Sequence, residues 1–222
     1  MDKLQAFIFD LDGVITDTAE YHYLAWKALA DELGVSFSRE LNEELKGISR
    51  MDSLDKILEF GQKGAEFTTE EKEKLAKKKN EHYVLLIKKI SPSDILPGIE
   101  KLLTDIKSAG LSLALASASK NATMVLEALN LKQYFDVIVD VNTLKKGKPD
   151  PEIFLRAAEL LNVQPENCIG VEDAIAGVDS IKDAGMFAVA IGPEHLFPRA
   201  DIVYQTTNDL SYNDLIGKFL NR

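Results

Sequence analysis

The sequence predicts an α/β protein: a doubly wound parallel sheet with a helical cap domain inserted after the first strand. Three observations predict it. First, short apolar runs recur at Ala6 to Phe9, Leu113 to Ala116, Val137 to Val139, Ile169 to Val171 and Ala188 to Ile191, each bounded by polar or glycine positions. Strands buried on both faces of a parallel sheet read this way. Second, helical spacings fill the intervals between the later runs. Third, about seventy residues after the first run hold no convincing strand, so an all-helical insertion interrupts the alternation.

Taken in order, Ala6 to Phe9 is the first strand, and Asp10, Asp12 and Gly13 follow it. From about Thr18 to about Ile90 the chain reads as several helices, punctuated by Gly34, Gly47, Gly61 and Gly64. The stretch Glu70 to Lys89 is highly charged and predicts one long helix. Segments Asp12 to Thr18 and Ser91 to Pro97 then serve as two hinges, a role that suits Ser91, Pro92, Pro97 and Gly98. This gives a Rossmann-like core from residues 1–17 and 91–222 and a cap from residues 18–90. In the second part of the core, Ile99, Leu102, Leu103 and Ile106 share one helix face. Ile153, Phe154, Ala157, Ala158 and Leu161 do the same, as do Ile175, Val178 and Ile181. Sheets built this way are wound right-handedly, and they bind ligands outside the carboxyl ends of their strands.

Composition narrows the partners. The chain has 222 residues, 45% hydrophobic and 28% charged, enough apolar side chain to bury a core. Its formal net charge of −10 disfavours nucleic acid and anionic lipid as partners. A few local cations and a metal still allow an anionic substrate inside one cleft. Cys168 is the only cysteine, so no intrachain disulfide forms, and its apolar surroundings predict a buried, inert thiol. No apolar run approaches the roughly 20 residues that span a bilayer. Asp10 and Asp12 interrupt the first apolar stretch where a signal peptide would continue it. The expected location is cytoplasmic.

Chemistry concentrates at four places. Asp10 and Asp12 stand at i and i+2 where a strand becomes a loop, and Gly13 permits the tight turn that follows. Close carboxylates repel, so they call for a cation or a shared proton; a hard cation such as Mg²⁺ suits oxygen ligands. Glu172 and Asp173 end another strand at the same edge of the proposed sheet, which strengthens the case for a metal over a polar turn. Ser117 and Ser119 end a third strand. A hydroxyl and the backbone N–H groups opening the next helix can cradle a phosphate, although Ser119 could equally be a helix cap. Lys148, before the helix carrying Phe154, could neutralise a phosphoryl oxygen or be an ordinary loop lysine.

Together, Asp10-Leu11-Asp12-Gly13-Val14, Ser117, Lys148 and Glu172-Asp173 resemble the four motifs of the haloacid dehalogenase superfamily, in order and across essentially the whole chain. The resemblance implies that Asp10 attacks the phosphoryl group and that Asp12 is the general acid/base. It also implies that Asp10, the backbone carbonyl of Asp12 and Asp173 bind Mg²⁺, with Glu172 as a direct or indirect partner. The second aspartate, Asp12, fits phosphoryl chemistry rather than dehalogenation.

Further segments are similar to the β-phosphoglucomutase family within that superfamily. They are Asp12 to His22, Ala25 to Leu29, Leu45 to Arg50, Ala76 to Asn80 and Ala116 to Asn121; Ala174 stands where relatives often carry serine. A mutase must exclude water from an aspartyl phosphate until a sugar phosphate closes the cap. It must also hold a second, non-reacting phosphate, for which the Arg50 guanidinium is a natural fork. Ser119, Lys120 and Asn121 would complete that site from the core. His22 shares a helical stripe with Trp26, Leu29 and Leu33, where a plain interface histidine is the ordinary meaning. The resemblance implies that His22 and Lys79 couple sugar binding to closure, although Lys77, Lys78 and Lys79 by themselves read as a solvated helix face. Thr18, Trp26, Lys46, Gly47 and Ser49 are further candidates to line the site. The implied reaction interconverts β-glucose 1-phosphate and glucose 6-phosphate through β-glucose 1,6-bisphosphate, in a protein expected to be monomeric. A sugar-phosphate phosphatase is the alternative enzyme. A non-catalytic binding protein is disfavoured by the intact Asp10, Asp12, Lys148 and Asp173.

Overall fold

The computed structural model describes residues 4–222; residues 1–3 of the expected core segment lie outside the described residues. Strand β1 (Ala6–Phe9) enters the middle of a six-stranded, wholly parallel sheet. Four helices follow directly: α1 (Ala19–Glu32), α2 (Arg39–Glu43), α3 (Arg50–Phe60) and α4 (Thr69–Leu86). The rest alternates: α5 (Ile99–Ser108), β2 (Ser112–Leu115), α6 (Ala122–Ala128), β3 (Val137–Ile138), α7 (Glu152–Leu161), β4 (Cys168–Glu172), α8 (Ile175–Asp183), β5 (Phe187–Ile191), β6 (Ile202–Tyr204) and α9 (Tyr212–Leu220). The strand order is β3-β2-β1-β4-β5-β6. The expected fold class holds. The sequence reading missed β6 and α9, and expected a helix after Ser119 without bounds, which is α6.

Alternation along the central strands separates two layers. One face carries Phe7, Phe9, Leu113, Leu115, Ile169, Val171, Phe187 and Val189, packed on α5, α6 and α9 through Ile99, Leu103, Ile106, Leu126, Leu215 and Phe219. The other carries Ala6, Ile8, Ala114, Cys168, Ala188 and Ala190, packed on α7 and α8 through Phe154, Ala157, Val178 and Ile181. Small side chains let α8 come close: a Cβ on Gly170 would stand 2.7 Å from Ile181. Cys168 is fully buried here, and burial pushes its thiol pKa up to about 12, so it is inert as expected. In α8 the expected apolar face is only partly buried. Val178 and Ile181 are covered, whereas Ile175, in the first turn beyond the sheet edge, is 53% exposed.

Helices α1 to α4 share a separate apolar cluster of Trp26, Leu29, Val35, Phe37, Leu41, Leu54, Ile57, Leu58 and Ala76. Caps fix their starts. Ser38 accepts from Leu41 N–H, Ser49 accepts from Asp52 N–H, and Thr68 and Glu71 form a reciprocal capping box. The charged helix ends at Leu86, and a 3₁₀ turn continues to Lys89. The segments flanking the helices meet: Leu96 N–H donates to Ile15 O at 2.9 Å, and Thr16 Oγ1 to Asp94 O at 2.7 Å. No helix among the described residues is long and apolar enough to cross a membrane.

Register positions the site. Phe9 pairs with Leu115 on one side and Val171 on the other. The carboxyl ends of β1, β2 and β4 are therefore level. Asp10, Ser117 and Glu172 emerge at one edge, beneath α1 to α4.

Candidate active site

Asp10 is buried at that edge. Its Oδ1 accepts from Lys148 Nζ at 2.7 Å and its Oδ2 from Asp12 N–H at 3.0 Å. Lys148, fully buried as a side chain, also donates to Glu172 Oε1 at 2.5 Å. Burial opposes the charge on Lys148, but Asp10 and Glu172 together hold its pKa above the ordinary lysine value. Lys148, which by sequence could neutralise a phosphoryl oxygen or be an ordinary loop lysine, is a buried counter-ion to Asp10 and Glu172. Glu172 Oε2 accepts from the N–H groups of Asp173 and Ala174, both at 2.9 Å.

Asp10, Glu172 and Asp173 each bring a carboxylate oxygen within 4.8 Å of the others. Two glycines make room. A Cβ on Gly13, whose φ is +72°, would lie 2.0 Å from Asp173 Oδ2. A Cβ on Gly177 would lie 1.9 Å from Glu172 Oε1. Burial, then the neighbouring Glu172 and Asp10, push the Asp173 pKa well up. An all-oxygen donor set with more negative charge than one lysine offsets fits a hard divalent cation. The Asp12 carboxylate is outside this cluster.

The Asp12 side chain turns toward α1 and α4. Thr18 Oγ1 donates to its Oδ1, and Tyr83 OH donates to Thr18 Oγ1 at 3.2 Å. His22 Nε2 stands 3.9 Å from Asp12 Oδ2. Although 30% of the Asp12 side chain is accessible, that surface lines a narrow cavity between the helices and the sheet edge. Burial there, with the charge of Asp10, raises its pKa to about 7. Lys79 Nζ lies 2.8 Å from His22 Nδ1, and 4.5 and 5.0 Å from the ring centres of Trp26 and Tyr83. Burial, then Arg50, lowers the Lys79 pKa to about 7. Burial and the same two cations hold His22 well below its ordinary value, as a neutral ring.

The cavity, of about 180 Å³, is lined by Asp10, Asp12, His22, Trp26, Lys46, Gly47, Arg50, Lys79, Ser117, Ser119, Lys120 and Asp173 among others. Thr18 lies behind the wall, fully buried, and Lys148 and Glu172 stand behind Asp10. Ser49 is not in the wall. Its hydroxyl caps α3 and donates to Asp52 Oδ2 at 2.6 Å. Ser119 N–H donates to Ser117 Oγ and Asn121 N–H to Ser119 Oγ, so two N–H groups of the expected cradle are bonded within the loop. Of the lysine run, Lys77 and Lys78 are exposed, and Lys79 is buried.

The sequence reading gave no role to Tyr83, Asn80, Asp17 or Asn42. Tyr83 supports Thr18, Asn80 binds Arg50, and Asp17 and Asn42 line the cavity. A signal was present for Tyr83: Ala76, Lys79 and Tyr83 recur at i, i+3 and i+7, a buried stripe with a lysine inside it.

Residues 4–185 match the family described as haloacid dehalogenase-like hydrolase. The chain is 50% identical over 208 residues to the β-phosphoglucomutase of Bacillus subtilis, covering 94% of this chain and 92% of that protein. It is 32% identical over 185 residues to a phosphorylated carbohydrates phosphatase of Thermotoga maritima, covering 82% of each. The crystal structure of a β-phosphoglucomutase from Clostridium difficile superposes with a TM-score of 0.97 at 52% identity, covering 98% of each chain. A parallel sheet with acids and a lysine at one edge, four helices inserted after its first strand, and a match over most of the length place this chain in the haloacid dehalogenase-like hydrolase family.

Proposed function

We infer that the chain acts as a β-phosphoglucomutase, interconverting β-D-glucose 1-phosphate and D-glucose 6-phosphate. One observation carries the reading: a single cavity is lined both by the buried nucleophile Asp10 and by Arg50, a guanidinium that no described carboxylate neutralises. A substrate with two anionic ends needs both. The 50% identity to the Bacillus subtilis enzyme, which runs through α1 to α4 as well as the sheet, supports it.

In this reading residues 18–90 are a cap that moves on the segments Asp12 to Thr18 and Ser91 to Pro97. An Asp10 oxygen attacks phosphorus, and the phosphorus–oxygen bond to the sugar breaks. Asp12 gives its proton to the departing sugar oxygen. With Asp10 phosphorylated, Asp12 takes the proton of the free hydroxyl of a sugar monophosphate, whose oxygen attacks the phosphoryl group as its bond to Asp10 breaks. The product of that attack is β-glucose 1,6-bisphosphate, which turns end for end and returns its other phosphoryl group to Asp10 by the first step. A pKa near 7 suits a group that must give and take a proton in alternation. Lys148 holds Asp10 in place between turnovers. Asp10, the Asp12 carbonyl and Asp173, with Glu172 beside them, would hold Mg²⁺, which supplies positive charge against the transferring phosphoryl group. His22 and Lys79 tie the state of Asp12 to the position of the cap. Arg50, Ser119, Lys120 and Asn121 take the second phosphate, and Trp26, Lys46 and Gly47 bound the sugar. Ser117 completes the reacting end. All these groups come from one chain, so a monomer suffices.

The test is product analysis with β-glucose 1-phosphate and Mg²⁺. Glucose 6-phosphate with little free phosphate, and a lag removed by the bisphosphate, is expected. Stoichiometric phosphate release, unchanged by the bisphosphate, would make the enzyme a phosphatase.

A further inference from the structure

Two donors from different layers converge on one oxygen. Arg50 Nη2 donates to Asn80 Oδ1 at 2.8 Å, and Asn121 Nδ2 donates to the same Oδ1 at 2.8 Å. Arg50 opens α3 and Asn80 lies in α4, whereas Asn121 immediately precedes α6 beyond the sheet edge. Both lone pairs of the amide oxygen are therefore used, and the oxygen joins the helical layer to the core.

The acceptor is also neutral. Burial presses the Arg50 pKa below its ordinary value, and no carboxylate among the described residues answers its charge. A carboxylate at position 80 would bind the guanidinium more strongly but would cancel the charge an anionic ligand needs. An apolar residue would leave a long, flexible side chain unheld, and ordering it would cost ligand affinity. An amide does neither. It fixes one of the five Arg50 N–H groups and leaves the others, with the full charge, for a ligand. It likewise fixes one Asn121 N–H and leaves one.

We propose that Asn80 is a positioning residue for the second phosphate: its neutral amide holds Arg50 and Asn121 side by side across the cap–core boundary. The proposal rests on the mutase reading, in which Arg50 and Asn121 receive that phosphate. Asn80 itself touches no reacting atom.

Asn80→Asp tests it with almost no change of shape. Glucose 6-phosphate affinity, measured by titration calorimetry, should fall about tenfold or more, because the new carboxylate neutralises Arg50. Asn80→Ala should fall less, by several-fold, since only the brace is lost. Phosphorylation of Asp10 by acetyl phosphate, a donor without a second phosphate, should change far less than sugar-phosphate turnover in both variants. In an Arg50→Ala background, Asn80→Asp should add nothing, the signature of one group acting through another. Unchanged glucose 6-phosphate affinity in Asn80→Asp, equal losses with acetyl phosphate, or full additivity with Arg50→Ala would each overturn the proposal. If Arg50→Ala alone leaves affinity intact, the distal-phosphate reading of Arg50 fails, and the role of Asn80 fails with it. If Arg50→Ala weakens binding and the Asn80 variants do not, only the Asn80 role fails. Thermal unfolding of each variant separates these losses from misfolding.

Discussion

Replacing Lys79 by methionine should stabilise the protein while impairing its turnover. Lys79 is only 3% exposed, and no acid bonds its ammonium directly; its neighbours are a neutral histidine ring and two aromatic faces. Burial and the nearby Arg50 lower its pKa from 10.5 to about 7. That difference corresponds to roughly 5 kcal/mol against the charged form. The sign follows from proton counting. Between about pH 7 and pH 10.5 the unfolded lysine holds a proton that the folded one lacks, so this group makes wild-type stability rise with pH across that window. Methionine has similar length, no charge and no such dependence. The advantage of Lys79→Met should therefore be largest at or below pH 7, at a few kcal/mol, and shrink by about 1.4 kcal/mol per pH unit toward pH 10. Urea unfolding of both proteins from pH 6 to pH 10 measures it. An advantage that does not change with pH, or a variant less stable than wild type at pH 6, would refute the reasoning. Sugar-phosphate turnover should fall in the same variant, since the group that tunes His22 and Asp12 is gone.

Asp10→Asn should lose essentially all phosphoryl transfer, because an amide is not an anionic nucleophile; radiolabelled phosphoenzyme formation reads this directly. Asp12→Asn should reduce turnover by about 10²–10⁴ and still bind glucose 6-phosphate. In wild type the pH–rate profile should show a group titrating near 7, and this limb should vanish in the Asn variant. Gly13→Ala should raise the Mg²⁺ concentration needed for half-maximal activity at least about tenfold, because the methyl group meets Asp173 and the positive φ strains alanine. Unaltered Mg²⁺ titration in that variant would show that Asp173 does not depend on the turn.

The central sheet and the motif residues were legible because each rests on a local signal. Ala6 to Phe9 is apolar throughout, and its aspartates follow at once. The missed elements carry little signal. β6 is three half-buried residues at the sheet edge. α9 buries only Leu215 and Phe219. Lys79 shows a different limit. Its neighbours Lys77 and Lys78 are solvated as a charge run suggests, and only the turn of the helix carries the third lysine inward beside Ala76 and Tyr83. Ser49 shows the reverse, since its place in a motif did not reveal that its hydroxyl serves the helix start. Asn80 carried no signal of its own, because its meaning depends on Asn121, 41 positions away.

The central place of β1 bears on how the chain is made. Its two neighbours are β2 and β4, and the lysine that holds Asp10 lies 138 positions downstream. A ribosome adds about 5–20 residues per second, so β1 waits on the order of 10–30 seconds with a bare, apolar edge before β4 emerges. Such an edge is a template for pairing with another chain. The helices of residues 19–86 emerge in that interval and can fold on local contacts, ahead of a sheet that requires distant partners. A nascent chain that stops before Cys168 would possess Asp10 but neither Glu172 nor Asp173, and so could not assemble the three-carboxylate cluster. Premature fragments of this enzyme are therefore aggregation hazards rather than unregulated phosphoryl-transfer catalysts.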